Sequence, residues 1–153
     1  MLSEEPVKSS VLGIIDAIRR WKRIDFSAVF TEKLSMPEFT VLNGIERIKG
    51  DSGTVFVSDI AHLFSISAQA VSKYLKICES RGFVIRETDK TDRRNTKLFL
   101  TDEGRRVLMV CERELVEFMS SVFDEFDKAE VDRLMSFADD VYDMTVKKLE
   151  NEN

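Results

Sequence analysis

Between Ser58 and Thr101 the chain reads SDIAHLFSISAQAVSKYLKICESRGFVIRETDKTDRRNTKLFLT. Few folds accommodate this order of signals. A short apolar-faced helix is followed by the turn Ser65-Ile66-Ser67 and by a longer helix that ends at Gly82. Two β-type runs then flank a basic tip, Asp89-Lys90-Thr91-Asp92-Arg93-Arg94-Asn95, so residues 83–100 are predicted to form a hairpin. Two helices with a hairpin appended make a winged helix-turn-helix. The expected fold is mostly α with a small β-hairpin wing, within one domain of 153 residues.

Inside this stretch, Ala68, Val71, Leu75 and Cys78 recur at helical spacing and are expected on one buried face. Ser67 is the expected cap. The opposite face presents Gln69, Ala70, Ser72, Lys73 and Lys76. Short hydrogen-bonding groups and cations of this kind can reach base edges in a major groove about 12 Å wide. The competing reading is an ordinary solvated helix face. At the hairpin tip, Asp92 stands two residues before Arg94 and can hold its guanidinium. An Arg fixed in this way suits the negative potential of a narrow minor groove, although a charged tip is also common without any such role.

The flanks carry signals of the same kind. Val11, Ile14, Ile15, Ile18 and Trp21 form an apolar stripe, which predicts a helix over residues 9–30. Ser35-Met36-Pro37-Glu38 is a capping box for a helix at 35–50. Residues 54–57 (TVFV) predict a short strand. Ser58 is the expected cap of the next helix, with Ile60, Ala61 and Leu63 or Phe64 on its inner face. Thr101 is expected to cap a long helix to about residue 126, and a last helix runs from about Lys128 to Leu149. The apolar faces of 9–30 and 106–150 exceed what one small monomer buries easily, which points to a dimer.

The net charge of −5 is unevenly spread: 0 over residues 1–53, +2 over 54–105 and −7 over 106–153. Nucleic-acid binding needs a local basic surface rather than a basic protein. No apolar run approaches the ~20 residues of a membrane-spanning helix. The N-terminal MLSEEPVKSS has no apolar signal region, so a cytoplasmic location is expected. Cys78 and Cys111 make no disulfide framework. His62 and two distant cysteines give no metal-ligand spacing. No nucleophile–base pair or phosphate loop marks an enzyme, and no cofactor motif is present.

ISAQAVSKYLKICESRGFVIR, TDRRN and LFLTDEGRRVL together resemble the MarR family of bacterial transcription regulators. The family's Asp-x-Arg wing pattern stands here as Asp92-Arg93-Arg94, and its wing-exit signal as Leu100-Thr101-Asp102-Glu103-Gly104. The resemblance implies a winged-helix homodimer on a pseudo-palindromic double-stranded DNA operator, with the DNA-binding unit at 35–105 and dimerisation helices at 9–30 and 106–150. It implies a recognition helix at about 67–81 and a wing whose Arg94 enters the minor groove with Asp92 as its support. The DNA-contact set is then Ser67, Gln69, Ala70, Ser72, Lys73, Lys76, Lys90, Arg93 and Arg94. Members usually act as repressors relieved by a small ligand or by oxidation. A cleft for an aromatic or anionic ligand would be bordered by Arg20, Trp21, Phe26, Phe30 and Phe39. Two alternatives stay open: a redox-responsive regulator using Cys111 or Cys78, and a winged-helix interaction module without DNA binding.

Overall fold

The structure is a computed structural model that describes residues 4–49, 53–89 and 95–151, with side chains from residue 10 onward. The elements in order are α1 (Glu4–Trp21), a single 3₁₀ turn (Phe26–Val29), α2 (Met36–Ile48), β1 (Val55–Phe56), α3 (Val57–Leu63), α4 (Ala68–Ser80), β2 (Val84–Thr88), β3 (Thr96–Leu100), α5 (Asp102–Phe123) and α6 (Lys128–Asn151). The chain divides into two compact units, residues 1–112 and residues 113–153. Among the described residues, no helix is long and apolar enough to cross a membrane.

The first unit is a helical layer against a small antiparallel sheet. The strands lie in the order β1-β3-β2. β2 and β3 pair from Val84 with Leu100 to Thr88 with Thr96, and β1 joins the far side of β3 through Val55 with Leu98. The predicted hairpin is therefore two-thirds of a three-stranded sheet. The core gathers Leu42 from α2, Ile60 from α3, Leu75 from α4, Leu98 from β3 and Leu108 from α5, all essentially inaccessible. Full burial of a side chain of this size is worth ~1.5–3 kcal/mol, so this cluster holds the unit's elements together.

Local chemistry sets the element ends. At α2, the Ser35 hydroxyl accepts from the Glu38 N–H at 3.4 Å while Glu38 accepts from the Ser35 N–H at 3.0 Å, which is the expected capping box. Ser67 caps α4 by accepting from the Ala70 N–H at 3.1 Å. Thr101 caps α5 by accepting from the Gly104 N–H at 2.9 Å. Gly82 has φ +76°, the left-handed stop expected after α4.

Several expectations are corrected. The helix predicted over 9–30 ends at Trp21. Asp25 is extended and accepts from the Ser27 N–H at 3.0 Å, capping a separate 3₁₀ turn instead of continuing the helix. Ser58 is not the cap of α3, which begins a residue earlier at Val57; there Asp59 Oδ2 accepts from the Phe56 N–H at 2.8 Å. Leu63 is exposed, and Ile60 is the fully buried residue of α3. Ala68 is exposed because it lies in the first turn of α4, beyond the packed part of the helix; Val71, Leu75 and Cys78 are buried as expected. α5 ends at Phe123 rather than 126.

Candidate nucleic-acid interface

α4 is amphipathic in the manner a DNA-reading helix requires. Its buried side locks it to the core, while Gln69, Lys73 and Lys76 follow one another at four- and three-residue steps along the outer side, with Ser72 beside Lys73. Gln69, Lys73 and Lys76 are exposed and Ser72 is half-buried. The Lys73 ammonium lies 5.6 Å from the centre of the Tyr74 ring. Ser67 is exposed at the helix start. Ala70 departs from the set: it turns to the flank and lines, with Met36, Pro37, Thr40, Phe64, Ile66 and Tyr74, an apolar cavity of about 450 Å³.

The hairpin base is described and its tip is not. The Asp89 N–H donates to the Asn95 carbonyl at 2.9 Å, and the mostly buried Asp89 carboxylate meets Lys97 Nζ at 3.1 Å. Lys90, Asp92, Arg93 and Arg94 lie outside the described residues. On the other side of α4, a second cavity of about 300 Å³ is lined by Phe56, Val57, Ser58, Ala68, Ser72, Arg86, Asn95 and Thr96.

The far end of α4 is held by a network that spacing rules did not reveal. Arg81 donates to Glu38 Oε1 at 2.9 Å, to the Glu32 carbonyl at 3.0 Å and to the Lys33 carbonyl at 3.3 Å. Its guanidinium stacks 4.7 Å from the Phe83 ring centre. Glu38 is only 6% exposed and also accepts from the Ser35 hydroxyl. Burial pushes the Glu38 carboxyl up, but the Ser35 hydroxyl and N–H and the Arg81 guanidinium outweigh it and hold the carboxyl below its ordinary value of 4.5. Arg81 and Glu38 are 43 residues apart. The one sequence signal was an Arg directly before the stop glycine.

The residues proposed for a ligand cleft separate. Phe30 and Phe39 are buried with ring centres 5.1 Å apart. Phe26 is half-buried in the 3₁₀ turn, whereas Arg20 and Trp21 are exposed at the end of α1. A cavity of about 340 Å³ beside Phe30 is lined by Ser27, Lys33, Leu34, Ser35 and Glu38 instead. Cys78 and Cys111 are both buried and unbridged. Burial pushes the Cys78 thiol up to about 12. No cluster of potential metal ligands occurs among the described residues.

Comparison with known proteins decides what this helix-and-hairpin unit is. The sequence pattern of the MarR family matches residues 33–95, from the start of α2 into the wing. Over this stretch the chain resembles the MarR family. This is a family of helix-turn-helix transcription regulators rather than of enzymes, and its members bind DNA and small ligands, typically as dimers. The chain is 26% identical over 113 residues to the HTH-type transcriptional regulator YpoP of Bacillus subtilis, covering 74% of this chain and 77% of that one. Its fold is similar to that of the transcriptional regulator BldR of Sulfolobus solfataricus, with TM-score 0.72, 19% identity and coverage of 94% and 99%. It is also similar to BpsR of Bordetella bronchiseptica, whose DNA binding is regulated by 6-hydroxynicotinic acid, with TM-score 0.68, 20% identity and coverage of 85% and 98%.

Proposed function

We propose that this chain is a homodimeric repressor that reads a pseudo-palindromic operator and leaves it when a small aromatic or anionic ligand binds. The observation that carries the DNA reading is the outer stripe of α4, where Gln69, Ser72, Lys73 and Lys76 project from a helix anchored by three buried residues. In this reading Ser67 and Gln69 contact the operator at the helix start, Lys73 and Lys76 bind phosphates or guanine edges, and Lys90, Arg93 and Arg94 act from the wing. Ala70 is assigned to the helix flank rather than to base contact.

The dimer reading is supported by apolar side chains left in water. On α1 they include Ile14, Ile18 and Trp21, and on α6 Leu134, Met135, Phe137 and Tyr142; no described α6 side chain is buried. A monomer rarely leaves so many large apolar groups exposed. Two copies can place recognition helices about 34–36 Å apart, one turn of duplex. The ligand reading is supported by the Phe30-flanked cavity and by the effector of BpsR. Burial of both cysteines weighs against release by oxidation, because a reactive thiol needs exposure and a lowered pKa.

Selection of bound sequences from random duplex DNA, followed by titration of the winner at two salt concentrations, tests the proposal. The expected result is a two-fold symmetric site with half-sites one helical turn apart and binding that weakens steeply with salt. Absence of enrichment would overturn it in favour of an interaction module.

A further inference from the structure

β2 and β3 carry a polar surface where their neighbours are apolar. Val84, Arg86 and Thr88 share one face of β2, and Leu100, Leu98 and Thr96 stand opposite them on β3. At the start of this face Val84, Leu98 and Leu100 are buried against the helices. Further toward the tip it turns to Arg86, Thr88 and Thr96, which a purely structural face would not require. Arg86 sits on the helix side of the sheet, and its half-buried guanidinium reaches the exposed Glu79 carboxylate of α4 only at 3.9 Å, a long pairing.

This polar face closes the cavity of about 300 Å³ between α4 and the wing strands. Its polar lining is Ser58, Ser72, Arg86, Asn95 and Thr96, four neutral hydrogen-bonding groups around one cation among the described residues. Duplex geometry says what such a groove meets. A recognition helix in the major groove and a wing in the adjacent minor groove have one sugar–phosphate strand running between them. That strand must cross the gap between α4 and the base of the wing. Hydroxyl, amide and guanidinium groups are the usual phosphate partners.

We propose that the groove between α4 and the wing strands cradles the DNA backbone, with Arg86 as its phosphate-binding residue and Ser72 and Thr96 as flanking contacts. The assignment rests on the DNA-binding reading and adds a residue that fixes the register of helix and wing on the duplex. Arg86 carries no base information. Its loss lowers specific and non-specific binding alike.

Single methylphosphonate substitutions along one operator half-site, each removing one phosphate charge, test this with the parent protein and with Arg86→Ala. The parent should lose about tenfold at the linkage between the two grooves, as for one charge-assisted hydrogen bond. Arg86→Ala should bind more weakly, lose nothing further at that linkage, and show a salt slope shallower by about 0.9. Arg86→Lys should recover part of the loss. A flat parent profile between the grooves overturns the proposal whatever the variants do. It is also overturned if Arg86→Ala, melting like the parent, keeps the parent's salt slope and linkage sensitivity. If the parent binds no duplex at all, the DNA-binding reading itself has failed, which is a separate and earlier result.

Discussion

Glu38 does two jobs with one carboxylate. One oxygen closes the α2 capping box and the other receives Arg81 from the end of α4, so a local cap also fixes α4 to the rest of the unit. Breaking a fully buried ion pair costs about 3–5 kcal/mol. The Arg81 side chain is 31% exposed and Ser35 remains as a partner, so Arg81→Ala should cost less, about 2 kcal/mol, read by denaturant unfolding. The folded carboxyl titrates below its ordinary value of 4.5. Its stabilisation is therefore complete above that pH and is lost as pH falls through the lower folded value. Glu38→Gln should flatten the acid side of the stability–pH curve; an unchanged acid slope would show that Glu38 carries no such linkage. Gly104 is a second residue-scale constraint. A Cβ there would sit 2.1 Å from the Phe83 carbonyl oxygen, with backbone on both sides of the contact. Gly104→Ala should destabilise by about 3 kcal/mol, at the upper end for overpacking, and lower the thermal midpoint accordingly.

The proposed reading of DNA by α4 depends on which face of that helix is committed to the core. Val71, Leu75 and Cys78 leave no freedom to rotate, so Gln69 and Lys73 point outward together. Their roles differ in kind. Gln69→Ala should relax base preference at one operator position while changing non-specific affinity little, because an amide reads an adenine edge. Lys73→Ala should weaken binding to all sequences and reduce the salt slope by about 0.9 if it binds one phosphate. Equal effects of both variants on specific and random DNA would place neither at a base edge. In the wing, Arg94→Ala should lose roughly 1–3 kcal/mol of operator binding. Binding at parental strength across salt concentrations would remove Arg94 from the minor groove.

At the scale of the molecule, the proposed dimer makes affinity depend on assembly. One winged helix makes few phosphate contacts, and linking two raises affinity by ~10²–10⁴ through effective concentration alone. Leu134→Glu combined with Tyr142→Glu places charge on an α6 surface that is 61% and 69% exposed at those positions in the single chain. Sedimentation should show a shift to monomer, and operator binding should fall by about that avidity factor with non-specific binding nearly unchanged. A variant that stays dimeric would move the interface to other apolar residues. The excess of acid falls in residues 106–153, apart in sequence from the net-basic residues 54–105.

The winged-helix order was legible in the sequence because its signals are local. Capping at Ser35, Ser67 and Thr101, the left-handed Gly82 and the buried spacing Val71-Leu75-Cys78 each act within one or two helical turns. Local competition also explains the misreadings. Asp25 capped a new turn where apolar spacing suggested more helix, and Asp59 displaced Ser58 as the group that closes the start of α3. What spacing could not show is long-range. The addition of β1 to the sheet depends on Val55 meeting Leu98, the clamp on α4 joins Arg81 to Glu38, and the groove beside Arg86 needs α3, α4 and both wing strands at once. The sequence by itself determined which elements form and which faces are apolar, because those follow from backbone hydrogen bonding and side-chain period. Only the tertiary structure decided which charged groups meet, because burial and pairing depend on chain segments that covalent neighbourhood does not bring together.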